Sequence, residues 1–122
     1  MSIAVDLDKL AAAVEGFGFA YLLTVSDDLR AHAVAATPEW VDGALVMDVG
    51  RRSAANAAAR SNISFIWPPV ESGGYSLIVD GDASVVGSTV TFAPVTAVLH
   101  RPAPAPTGDV VDGACGSDCQ PL

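Results

Sequence analysis

Positive charge is scarce in this chain. Among 122 residues there are 6 Lys and Arg against 14 Asp and Glu, a formal net charge of −8. Recognition of a phosphate backbone needs a basic face, so no nucleic-acid partner is expected. Adhesion to an anionic membrane is disfavoured on the same ground. Long apolar runs are missing as well, so no membrane partner and no bilayer span are expected. Residues 1–15 hold Asp6, Asp8 and Glu15 and no cationic stretch ahead of an apolar core. A signal peptide is therefore not expected, and a cytoplasmic protein is the default. No Ser-His-Asp or Glu-x-x-His pattern supports hydrolase chemistry. Cysteine is limited to Cys115 and Cys119. Three readings of that pair stand side by side: free or redox-labile thiols, a small disulfide, or half of a zinc site completed by a second copy.

Apolar material is plentiful. Hydrophobic residues make up 51% of the chain and charged ones 16%, and the mean hydropathy is +0.42. That is enough for one folded core, and the length suits one domain. Asp6 to Val14 reads as a short helix, capped by Asp6, with Leu7, Leu10, Ala11 and Val14 on one face. Six strand-like segments follow: 19–25, 30–37, 44–49, 62–67, 75–86 and 89–100. Asp42-Gly43 is a turn signal within the connection Pro38–Gly43. Gly81 marks a bulge or bend, and Pro94 implies an edge position or a bulge. Gly87-Ser88 reads as a two-residue type II′ hairpin turn. Between the third and fourth strands, Arg51 to Arg60 is alanine-rich and helical, with Ser53 a candidate N-cap. The fold class is thus mainly β, a small antiparallel barrel of six strands with short helices. Residues 1–101 form this domain, and 102–122 form a Pro/Gly-rich tail.

The few cations are not spread evenly. Arg51, Arg52 and Arg60 fall within ten residues, the first two at the start of the expected helix. First turns of helices prefer acids, because free backbone N–H groups and the dipole favour negative charge there. A ligand phosphate would resolve the conflict, with Ser53 adding a hydroxyl. The alternative is that both arginines are solvated or pair with the abundant acids.

The run Gly50-Arg51-Arg52-Ser53-Ala54-Ala55-Asn56, between ALVMD and NISFIW, resembles the pyridoxamine 5′-phosphate oxidase-like family, the FMN-binding split β-barrel. LLTVSDDLRAHAVAAT upstream resembles that family's first hairpin, and VDGDASVV downstream its Val-x-Gly-x-Ala strand. The resemblance covers Phe19 to His100. It implies an FMN-binding flavoprotein, an oxidoreductase of unknown substrate. It also implies a homodimer whose cofactor site lies at the subunit interface. Position by position, Arg52 matches the arginine that holds the FMN phosphate. Ser53 stands where the family often has lysine, and Arg51 takes over that charge. Val46 and Met47 match the strand lining the flavin, and Val34, Ala35 and Thr37 lie in the segment beside its ring. Arg60-Ser61-Asn62 replaces the family's Asn-Pro-Arg. The C-terminal basic residues that hold pyridoxamine phosphate have no counterpart, so that compound is not the expected substrate. Smaller relatives bind FMN, a deazaflavin cofactor or haem, and some have no known activity; a deazaflavin-using reductase and a barrel that has lost its cofactor and acts as a binding module are the alternatives that stay open here. His32 is read either as a barrel-wall or surface histidine or as a residue facing the cofactor. Trp40 is read as a lid, a dimer contact or a cap on the core. No metal site is expected.

Overall fold

The computed structural model describes residues 1–103. Cys115 and Cys119, with every reading attached to them, lie outside the described residues. The elements run β1 (Ser2–Ala4), a 3-10 turn (Leu7–Lys9) continuing into α1 (Leu10–Val14), β2 (Ala20–Val25), β3 (Ala31–Ala36), β4 (Glu39–Val41), β5 (Ala44–Asp48), α2 (Arg51–Ala59), β6 (Asn62–Trp67), β7 (Ser76–Val86) and β8 (Thr89–His100). All pairings are antiparallel, in the order β3-β2-β6-β7-β8-β5-β4, with β1 added on β8.

Eight strands stand where six are expected. The first addition, β1, is short and exposed and pairs Ser2 to Ala4 with Val98 to His100. The second, β4, lies inside the expected connection 38–43. Asp42 and Gly43 have φ of 52° and 83°, the two left-handed residues of a type I′ turn. That turn twists its flanking segments into a hairpin, and Val41 pairs with Ala44 accordingly. Two caps also differ. Asp6 precedes the 3-10 turn in extended geometry, but its side chain makes no capping bond; its carbonyl accepts the Lys9 N–H at 2.9 Å instead. The N-cap of α2 is Gly50, not Ser53, which sits buried inside the first turn.

The core follows the two-residue period of the strands. Ile63, Phe65 and Trp67 of β6, Leu77 and Val79 of β7, and Val90 and Phe92 of β8 are all buried. The ring of Phe65 meets that of Phe92 edge-on at 5.0 Å and that of Trp67 at 5.8 Å. The long β7–β8 ladder carries one irregularity, at Asp80/Gly81. Asp80 faces Thr96 and Gly81 faces Pro94, so Val95 is the extra residue. The bulge absorbs the proline's missing N–H. Gly81 is needed there because a Cβ would lie 2.2 Å from the Ala93 carbonyl oxygen and 2.7 Å from the Phe92 ring. At the far end, Gly87 takes φ 62° in the two-residue turn joining Val86 to Thr89.

The sheet is not sealed. Among the described residues β3 pairs only with β2, and no ladder joins it to β4 or β5. Yet the chain crosses from β3 to β4 through Thr37 and Pro38 alone. The two ends of the sheet are therefore neighbours with a gap between them. This is a split β-barrel.

Candidate functional site

The gap in the barrel is where the sequence-selected residues meet. Helix α2 closes one end of it and is tied down from its far half. Asn56 Nδ2 donates to the buried Thr24 Oγ1 of β2 at 3.1 Å. Arg60 Nε donates to the Val25 carbonyl at 2.8 Å, and its other arm pairs with Asp27 at 2.8 Å. Ala57 is fully buried. Arg60 is therefore a clamp between α2 and β2 and does not join the other two arginines.

The near half of α2 is left chemically open. The first bond within the helix runs from the Ala54 N–H to the Gly50 carbonyl, at 3.0 Å. The N–H groups of Arg51, Arg52 and Ser53 thus have no acceptor within the helix. Gly50 has no side chain to cap them, and the first turn contains no acid. Ion pairs among the described residues use Arg30 with Asp28 and Arg60 with Asp27. Arg51 and Arg52 have none and are exposed. Within residues 1–103 neither arginine pairs with an acid, so a solvated pair and an anion site are the readings that remain. Hydrogen bonding from Ser26 holds the Asp28 carboxyl below its ordinary pKa, but that group lies in the β2–β3 hairpin and serves the turn.

Two grooves open onto the gap and share a wall of Ala35, Met47 and Asp48. One, of about 480 Å³, is lined by Val34 and His32 of β3, by Val49, and by Gly50, Arg51, Arg52 and Ser53 at the start of α2. The other, of about 640 Å³, is lined by Phe19, Ala36, Thr37, Glu39 and Val46. All eight residues singled out from the sequence, Val34, Ala35, Thr37, Val46, Met47, Arg51, Arg52 and Ser53, thus line one pair of adjoining grooves. Both volumes fall in the range of small-molecule sites.

Four lining residues, Phe19, Glu39, Asp48 and Val49, escaped the sequence reading. Phe19 begins a segment that reads as core strand, but it lies before β2 and is 44% exposed. Glu39 belongs to the unexpected β4. Asp48 ends β5 and accepts the Thr89 hydroxyl at 2.8 Å; its place just ahead of the Gly-Arg-Arg run was the available signal. Trp40 packs against the core, with its Nε1 buried and unpartnered. Asp80 and Asp82 accept bonds from Ser64 and Asn62 on an open face. Among the described residues no group of His, Cys, Asp and Glu could hold a metal ion, and no helix is long and apolar enough to cross a membrane.

No protein-family model matches the chain. Uncharacterised proteins of Mycobacterium bovis and Mycobacterium tuberculosis are each 43% identical to it over 132 residues, spanning 94% of this chain and 92% of theirs. Among solved structures, an FAD-binding protein from Mycobacterium smegmatis superposes with a TM-score of 0.61 at 16% identity, over 83% of this chain and all of that one. A putative pyridoxamine 5′-phosphate oxidase from Listeria innocua gives 0.56 at 18% identity, over 74% and 92%. A protein described as an F420 reductase gives 0.54 at 13%, over 65% and 87%. Identity at that level over nearly the whole of both chains, on this architecture, means that the chain belongs to the family of these mycobacterial proteins and carries the split β-barrel fold of pyridoxamine 5′-phosphate oxidase-like proteins.

Proposed function

We propose that the chain is a flavoprotein that binds FMN in the gap of its barrel and works as an oxidoreductase on a substrate other than pyridoxamine phosphate. The observation that carries this reading is the uncapped start of α2, where two arginines and three N–H groups without a partner among the described residues open into a groove continuous with an apolar-walled one. The donor set fits a phosphate monoester, which takes bidentate guanidinium contacts and helix N–H groups together. The walls fit a flat ring, since Ala35 and Val34 are small and Val46 and Met47 are apolar. The free edge of β3, and Met47 and Asp48 beyond the reach of β4, leave backbone groups for a ring's polar rim to satisfy.

A bound flavin supplies the hydride or electron transfer. The chain's own part is to anchor the phosphate with Arg51, Arg52 and Ser53, to hold the ring between β3 and β5, and to keep water from its faces. No side chain is assigned as acid or base. The solved neighbours described as FAD-binding and as an F420 reductase support a flavin or deazaflavin, so a deazaflavin is the second reading on the same anchor. The third, a cofactor-free binding module, leaves the two arginines without a partner among the described residues.

The active form we infer is a cytoplasmic homodimer with the site at the subunit interface. The exposed outer face at Phe19 and Tyr21, whose rings meet edge-on at 5.2 Å, and the unpaired β3 edge are surfaces that a second copy would cover. The deciding experiment is titration of the purified chain with FMN, FAD and a deazaflavin, followed by visible absorption and fluorescence, with sedimentation to give the assembly. Saturable uptake of FMN by a dimer is expected. A monomer that takes up none of the three would overturn the proposal.

A further inference from the structure

The side of the sheet that faces away from the core carries one unbroken apolar row. The buried residues Leu22, Phe65, Val79 and Ala97 lie opposite one another on β2, β6, β7 and β8. Their chain neighbours point the other way, since side chains alternate along a strand. One step along, the ladders set Ala35 opposite Tyr21, Tyr21 opposite Ile66, Ile66 opposite Ile78, Ile78 opposite Val98 and Val98 opposite Ala4. The row thus crosses six strands, from β3 to β1. None of its residues belongs to the core or to the side chains packed on it, and Tyr21 is 40% exposed. Over β6 to β8 the flanks of the row are polar. On one flank Ser64 donates to Asp80 and Asn62 to Asp82. On the other, Ser2 Oγ and His100 Nδ1 are hydrogen-bonded at 3.1 Å, next to Arg101. An apolar strip between satisfied polar flanks has the layout of a protein interface, with a dry core and a wet rim.

The row is also symmetric about its middle. Isoleucines 66 and 78 stand at the centre, Tyr21 and Val98 outside them, and an alanine at each end. A two-fold axis normal to the sheet between β6 and β7 lays this row on a second copy of itself. Ile66 then meets the partner's Ile78, Tyr21 the partner's Val98, and Ala35 the partner's Ala4. The same rotation turns the flank of Asp80 and Asp82 toward the flank that holds the partner's Arg101. The face is broad enough for this contact. Six strands spaced about 4.8 Å make it about 29 Å wide, and β7 and β8 run for 11 and 12 residues. Contact along about 28 Å of their length reaches the roughly 800 Å² a side that a stable dimer buries.

We propose that this row is the contact between two copies of the chain, packed sheet on sheet about an axis between β6 and β7. Ala35 lines both grooves, so β1 of the second copy lies against their wall, and the site is complete only in the dimer. This inference rests on the homodimer reading above and does not depend on which cofactor is bound.

The test is sedimentation of the full-length chain as wild type, Ile66→Asp, Ile78→Lys and Val86→Lys. Melting curves confirm folding, and the wild type is also titrated with FMN. The wild type is expected to be a dimer. Ile66→Asp and Ile78→Lys each place two unpaired charges in the contact, one from each copy, and weaken it by about a hundredfold or more. Mixed together, they set the new carboxylate of one copy against the new ammonium of the other and recover a dimer. Val86→Lys, at an 81% exposed position of the β7–β8 hairpin, leaves the assembly unchanged. If Ile78→Lys or Ile66→Asp fails to fold, Tyr21→Asp mixed with Val98→Lys repeats the pairing. A wild-type dimer that survives both isoleucine substitutions overturns the proposal while the homodimer reading stands. Variants that dissociate alone and stay apart when mixed overturn the two-fold arrangement. A wild type that takes up FMN as a monomer removes the homodimer reading and this inference together, and leaves the cofactor reading in place.

Discussion

The β6–β7–β8 half of the sheet and the β3/β5 gap are built from the same kind of strand and end in opposite states. In the first, every strand has partners on both sides, and large side chains alternate inward until Phe65, Trp67 and Phe92 touch. Its one irregularity, at Gly81, tightens the packing. In the second, an edge strand of alanines faces β5 with no ladder between them, and a helix begins without a cap. The closed seam meets its backbone and packing needs internally. Among the described residues the open seam leaves N–H groups, an imidazole nitrogen and two guanidinium groups without a partner. Unmet needs concentrated in one place are what distinguish a site from a surface. It follows that substitutions in the core of the closed seam should change stability alone, and those in the open seam binding alone.

The largest effect is expected where the closed seam has least room. Gly81→Ala puts a methyl group 2.2 Å from backbone oxygen, and neither β8 nor the Phe92 ring can retreat without breaking the bulge. A loss of about 3 kcal/mol or more is expected, read by chemical denaturation. A melting curve matching the wild type would mean that the bulge is loose and that the two halves are less different than they look.

Asn56→Ala tests the joint between the halves. The Thr24 hydroxyl, 1% exposed, would lose its partner, at a cost of about 1–3 kcal/mol. Because Asn56 also fixes the tilt of α2, flavin affinity should fall with stability. A variant that loses stability and keeps full affinity would show that the Arg60 clamp, the buried Ala57 and the neighbouring hairpin position the start of α2 without the Asn56 bond.

Most of this arrangement could be read from the chain because its signals are local. The six expected strands are all present with ends shifted by at most one residue, since alternation and turn residues act over short distances. Pro94 and Gly81 both mark an irregularity in the sequence, and the ladder joins them at one bulge. What escaped was either tertiary or too short to show a period. β1 has three exposed residues and pairs with the part of β8 that extends beyond β5. β4 has three residues as well, though Asp42-Gly43, both in left-handed geometry, was a sufficient sign of a hairpin. Arg60 illustrates the tertiary case. Its sequence neighbourhood groups it with Arg51 and Arg52, but a nine-residue helix puts it one helix length away, about 14 Å, where the β2 carbonyl and Asp27 claim it. The unpartnered His32 nitrogen is legible only once β3 is in register with β2.

Arg52→Ala is the substitution expected to leave folding alone. The side chain is exposed and has no ion pair among the described residues, so stability should stay within about 0.5 kcal/mol of the wild type. Removing a cation from a helix start can even help, because the dipole there repels it. If the guanidinium contacts a phosphate, FMN affinity falls by about 1.5–3 kcal/mol, while riboflavin binds as before. A stabilised variant with undiminished FMN affinity would make Arg52 a solvated residue and move the anchor to Arg51 and the helix N–H groups. The unfavourable placement of Arg52 at a helix start is itself the argument for a ligand: such a residue persists where an anion offsets what the helix alone would lose.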